Sequence, residues 1–163
     1  MPAARRTEGV RKTLPCNGCG VSFELDLPAN LDLELHSSNG TLAVTGTGRS
    51  LLALDTSNGP ITITRAEGTL DARTSNGPIS LNDVRLSGAS RNVLRTSNGP
   101  VTLVGVEGED GLVVEATTSN GHTAVLAPGY QVTLDRNYFR ALKNGTANAT
   151  LEVRTSNGAI TMR

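Results

Sequence analysis

Large rings are almost missing from this chain. Aromatic residues are 2% of its 163 positions, with two Phe, two Tyr and no Trp. A core normally leans on a few bulky rings, so the apolar filling here falls to Leu, Val, Ile and Ala. A surplus of charge is missing too, since 15 Lys and Arg balance 15 Asp and Glu. That balance gives no general attraction to nucleic acid or to an anionic membrane surface, and no nucleic-acid partner is expected. There is no run of about 18 apolar residues, so no membrane span is expected. The opening "MPAARRTEGV" is charged and has no apolar stretch, so it does not read as a signal peptide. Cysteine is limited to Cys16 and Cys19, in "CNGCG". Their spacing suits a small disulfide loop, free thiols, half a metal site or a redox pair. A zinc site needs four ligands, and neither His36 nor His122 stands at a local ligand spacing. No metal and no cofactor is expected.

What the chain does have is one phrase, repeated. "TSNGP" stands at 56–60, 74–78 and 96–100, "TSNG" at 118–121 and 155–158, and "SSNG" at 37–40. The motif Asn is Asn39, Asn58, Asn76, Asn98, Asn120 and Asn157, in steps of 19, 18, 22, 22 and 37 residues. A period near 20 marks a solenoid or array. The last step is close to two periods, so it is expected to hold a worn rung, with "VTLDRNYF" (132–139) in the place of "TLDARTSNG" (69–77).

Within each repeat apolar residues alternate, as in Leu52 and Leu54 before the motif and Ile61 and Ile63 after it. Alternation over four to six residues predicts strands, and no 3.6-residue apolar stripe predicts a helix. The expected fold is all-β, a single-chain β-solenoid of about six to seven coils with a period near 18–22 residues. Residues 1–22 read as an N-terminal extension or cap holding the CxxC, 23–163 as the repeat domain, and 127–150 as an irregular rung or insert. Stacking at about 4.8 Å puts identical residues over one another. The six motif Asn then form a structural turn ladder, each side chain bonding the next. The motif Gly is expected to supply positive φ. An antiparallel meander is the competing fold, because Asn-Gly is also a hairpin signal, but such a sheet needs both faces covered.

The opening "FELDLPANLDLELHSSNGTLAV" (23–44) and the closing "LKNGTANATLEVRTSNGAITMR" (142–163) resemble those of bacterial adhesin-like β-helix families, the DUF4097-like and head GIN domains. The resemblance covers roughly residues 21–163. It implies a β-helical domain of the cell envelope or cell surface with adhesin-like binding, and it carries over no catalytic residues. The CxxC segment and the missing anchor depart from the family pattern, and a cytoplasmic location stays open.

Two groups of residues are candidates for contact. Arg73 and Arg95 fall at outward positions just before the motif and suit an anion or glycan; the plainer reading is a solvated charged face. Tyr130, Tyr138 and Phe139 gather three of the four aromatics and suit a sugar ring or a partner chain; the plainer reading is rung filling. No Ser-His-Asp set, phosphate loop or acidic metal cluster stands out, so an enzyme is not expected. The alternative to a binding domain is a structural protein that self-assembles end to end as a homo-oligomer through its terminal coils. In that reading the uncovered final rung, "TSNGAITMR", either lies under the 127–150 insert or pairs with another chain.

Overall fold

A computed structural model of the protein describes residues 24–87, 91–143 and 148–163. Cys16, Cys19 and the expected 1–22 extension lie outside the described residues. Among the described residues every regular element is a strand. In chain order they are β1 (Leu33–Ser37), β2 (Leu42–Thr45), β3 (Arg49–Thr56), β4 (Ile61–Thr64), β5 (Glu67–Thr74), β6 (Ile79–Asn82), β7 (Arg85–Leu86) and β8 (Arg91–Thr96). There follow β9 (Val101–Val104), β10 (Glu107–Gly108), β11 (Leu112–Thr118), β12 (Thr123–Val125), β13 (Gln131–Asp135), β14 (Tyr138–Lys143), β15 (Ala149–Thr155) and β16 (Ile160–Met162).

Alternation sets the two faces of each strand. β3 buries Ser50, Leu52, Leu54 and Thr56 and exposes Arg49, Leu51 and Asp55. Strands that precede the motif form one sheet with β14 and β13 at its end, in the order β1-β3-β5-β8-β15-β11-β14-β13. Strands that follow it form a second, β12-β16-β9-β6-β4-β2. Pairing is parallel and in register, so Leu33, Leu52 and Leu70 lie side by side, as do Ile61, Ile79 and Val101. The core sits between the sheets. Leu54, Ile63, Leu70, Leu81, Leu103 and Leu151 are fully buried there, each contributing about 1.5–3 kcal/mol by leaving water. A third, short side is made by β7 and β10 beside the start of β5, where Arg85 pairs with both Glu67 and Glu107. Ala66, Val84 and Val106 fill that corner. The fold is all-β and solenoid-like, as the alternation predicts.

The order of the rungs differs from the order of the sequence. β15 lies between β8 and β11, and β16 between β9 and β12. On the third side β10 pairs directly with β7. On the two main sheets residues 105–111 carry the chain past one strand position, and β15 and β16 fill it. Val153 meets Leu94 on one side and Ala116 on the other. The final rung is thus an interior one with both edges paired. The expectation that it needs a cover or a second chain fails for that reason.

The worn rung at 132–139 is also corrected. β13 and β14 form an antiparallel hairpin, and β14 runs antiparallel to β11. Its turn residue Asn137 takes the place a next motif would have. The carbonyl of Asn137 accepts from Thr118 N at 2.9 Å, and its Nδ2 donates to Ser119 O at 3.2 Å. The strands at the ends of the stack are therefore β1 and β2 on one side, and β12 and the hairpin on the other.

The motif itself works differently from the positive-φ reading. No motif Gly has a left-handed φ. Four of the left-handed positions, Gly46, Arg65, Asp83 and Gly105, with φ of 73, 51, 53 and 61°, stack at the looser corner after the second-sheet strands. The motif Gly is required by space: a Cβ on Gly77 would stand 1.9 Å from the carbonyl oxygen of Gly59. The motif Thr is the buried member. Thr74 Oγ1 donates to Gly59 O at 3.1 Å, Thr96 Oγ1 to Gly77 O at 3.0 Å and Thr155 Oγ1 to Gly99 O at 3.0 Å. The six Asn are exposed. Their Nδ2 groups donate along one row, Asn58 to Asn39 at 2.6 Å, Asn76 to Asn58, Asn98 to Asn76 and Asn157 to Asn98 at 2.7 Å, and Asn120 to Asn157 at 2.8 Å.

Candidate functional site

The residue before each motif Thr faces outward, because the Thr faces in. Register stacks these positions as Asp55, Arg73, Arg95, Arg154 and Thr117 on β3, β5, β8, β15 and β11. The motif Ser faces outward too, and Ser57, Ser75, Ser97, Ser156 and Ser119 run alongside. Together the two rows line a groove of about 680 Å³. Among the described residues none of these five Ser hydroxyls has a hydrogen-bond partner.

The three Arg are not equivalent. Arg73 is held by its own strand: Nε donates to Asp71 Oδ1 at 2.8 Å and Nη2 to Asp71 Oδ2 at 2.7 Å. These bonds, then the Asp71 charge, with a smaller push from Asp55, raise the guanidinium above its ordinary range. Arg95 and Arg154 instead share Glu152, which is only 6% exposed. Arg154 Nε lies 2.5 Å and Arg95 Nη2 3.2 Å from Glu152 Oε1, and Arg91 Nη2 closes on Oε2. Three guanidiniums thus meet one carboxylate, and the middle of the groove carries a surplus of positive charge. The flanks are neutral pairs, Arg73 with Asp71 and Arg140 with Glu115 at 3.5 Å. The arrangement can hold an anion.

Arg73 and Arg95 are thus brought onto neighbouring strands. Sequence reasoning missed the junction of Arg95 with Arg154, which are 59 positions apart, and the burial of Glu152 between them. The outward placement of Arg154 was visible in β15, but its neighbour was hidden by the rung order.

The aromatic trio is not brought together. Phe139 is fully buried, because β14 turns Phe139 and Ala141 toward the core, and this removes it as a contact residue. Tyr130 is half-buried, and its hydroxyl donates to Val106 O at 2.7 Å. Burial, then the Glu107 charge, pushes its pKa up to about 12. Lys143 Nζ sits 5.5 Å from the Tyr130 ring centre and 2.6 Å from Glu107 Oε1. The hydrogen bond from Lys143, then its charge, lowers the Glu107 pKa. Tyr138 is half-buried on β14 opposite Thr117, which makes it the next member of the outward row beyond the groove.

Among the described residues no cluster of His, Cys, Asp and Glu is arranged to hold a metal, and no helix is long and apolar enough to cross a membrane. A family model described as Toastrack DUF4097 matches residues 29–163. No curated protein matches the chain. A crystal structure from Clostridium sporogenes, described as that of a "putative cell adhesion protein", aligns over 83% of this chain and 92% of its own at 12% identity, with a TM-score of 0.35. A likeness that slight carries no argument.

Proposed function

The chain belongs to the Toastrack DUF4097 family over residues 29–163, and on that premise we propose that it is a non-enzymatic binding module of the cell envelope. We read its repeats as six coils of one solenoid, five of which contribute strands to the binding groove. The observation that carries the reading is the convergence of Arg91, Arg95 and Arg154 on the single buried carboxylate of Glu152. Unbalanced charge in a groove concentrates counter-ions and acidic ligands. The neighbouring Ser hydroxyls supply neutral donors and acceptors at every strand. A rigid sheet presents both rows without the cost of ordering a loop.

The test is retention of the purified chain on washed bacterial envelope preparations at low and high salt. Retention that falls with salt, and falls further when Arg95 and Arg154 are both changed to Ala, is the expected result. No retention, or retention indifferent to that double change in a variant that still melts cooperatively, refutes the reading.

End-to-end assembly has one observation in its favour. Among the described residues β13 is an edge strand paired on one side only, with all five residues exposed, Val132 at 41% and Leu134 at 57% among them. Unpaired apolar edges recruit other strands. On this second reading the joint lies at the hairpin and at β1, and light scattering over a concentration series distinguishes it from a monomeric binding module.

A further inference from the structure

We propose that the groove takes a carboxylate-bearing glycan chain laid across the strands, with an acid group at Arg95 and Arg154 and a sugar ring on Tyr138. The inference rests on the binding reading above and names its ligand class.

The acid group is placed by the shared carboxylate. Arg73 gives Asp71 two hydrogen bonds, from Nε and Nη2, whereas Arg95 gives Glu152 one, from Nη2, and Arg154 approaches the same Oε1 with its Nε. Among the described residues the Arg95 side chain makes one hydrogen bond, to Glu152, and Glu152 is the carboxylate that both Arg95 and Arg154 share. Planar guanidinium forks match planar carboxylates two bonds at a time. Their positive surplus sits at this one pair of strands.

The rest of the groove excludes a ligand charged at every unit. On one side of the Arg pair the row continues with Arg73, already neutralised by Asp71, and then with Asp55. On the other side it continues with Thr117, above the Glu115–Arg140 pair. A polyphosphate chain would set bare charge against both flanks. A glycan instead sets hydroxyls there, facing Ser57, Ser75 and Ser119, which have no hydrogen-bond partner among the described residues.

The ring is placed by register. Tyr138 follows Thr117 in the outward row, two strands beyond Arg154, or about 10 Å away. Its half-buried ring is held by the hairpin that finishes the sheet. The apolar face of a pyranose covers such a ring, while the polar edge stays with the Ser row.

The experiment is calorimetric titration of the whole chain with a β-linked glucan oligomer carrying a single uronate, the neutral glucan oligomer of equal length, and polyphosphate. The acidic glycan is expected to bind at least about tenfold tighter than the neutral one, the worth of one charge-assisted pair. Tyr138→Ala is expected to weaken it about three- to tenfold while leaving its salt dependence unchanged. Arg95→Gln with Arg154→Gln is expected to abolish the acidic preference. Polyphosphate that binds as well as the glycan overturns the ligand class, as does no affinity for the acidic glycan in a protein still held on envelopes through the Arg pair; the groove reading survives both. An unchanged affinity in Tyr138→Ala overturns the placement of the chain.

Discussion

Replacing Gly77 by Ala tests what the repeated motif is for. The added Cβ would stand 1.9 Å from Gly59 O and 2.5 Å from its carbon, whereas ordinary contact begins at 3.4 Å. The two turns would have to part by about 1.5 Å, against a strand spacing of about 4.8 Å that the ladders on both sides enforce. Parting them strains the Thr74 to Gly59 and Thr96 to Gly77 bonds, and the bond from Gly77 N to Thr74 Oγ1 at 3.2 Å. Two or three hydrogen bonds at about 1 kcal/mol each, with the contacts around them, come to about 3–5 kcal/mol. Gly46→Ala is the comparison. Gly46 has a left-handed φ of 73° but nothing within 4 Å, so its cost is about 1 kcal/mol of backbone strain. Urea unfolding of the two variants and the parent protein reads the difference directly. If Gly77→Ala proves no worse than Gly46→Ala, close approach is not what the motif Gly provides.

Glu152→Gln leaves three guanidiniums without their carboxylate. Because Arg91, Arg95 and Arg154 side chains are 64%, 44% and 60% exposed, water screens much of the loss; about 1–2 kcal/mol at low salt is expected, shrinking as salt rises in a melting series. Asn76→Ala removes two bonds of an exposed row, whose remaining amides regain water, so urea unfolding should register about 0.5–1 kcal/mol. Tyr130 has a folded pKa raised to about 12 from 10.0. The folded state then holds a proton that the unfolded state has released, so stability is unaffected below pH 10 and falls as pH climbs from about 10 to about 12. Tyr130→Phe should flatten that slope in alkaline melting curves, while costing the bond to Val106 O.

Much of this fold is legible in the chain because each rung is locally consistent. Leu52, Leu54, Ile61 and Ile63 alternate as strands must, and the motif fixes the register at which strands stack. The likeness to the DUF4097-like family, read from residues 23–44 and 142–163, agrees with the family match over 29–163. The order of the rungs was not legible. β8, β11 and β15 carry the same Thr, the same alternation and the same turn, so each fits beside either of the others, and the local pattern does not choose between them. The rung order also makes the groove. Arg95 and Glu152 meet only because β15 enters beside β8. The role of the motif Gly was hidden for a related reason: a left-handed turn and a close approach both call for glycine, and only the neighbouring carbonyl distinguishes them.

The interior position of residues 148–163 has a consequence for biosynthesis. Most rungs of such a stack can be laid down on the one before as the nascent chain emerges. Here residues 112–125 leave the ribosome before the strands that separate them from 91–104. Either those two rungs wait apart with their ladder groups wet, or they dock on each other first and must part again. Assembly is therefore not vectorial, and the step that joins the two halves is the entry of β15 and β16 as a keystone. A chain truncated before residue 148 lacks the rung that joins its two halves. Anything joined after Arg163 must leave from the flank of the stack, beside Gly105, whose N–H donates to the Arg163 carbonyl at 3.2 Å.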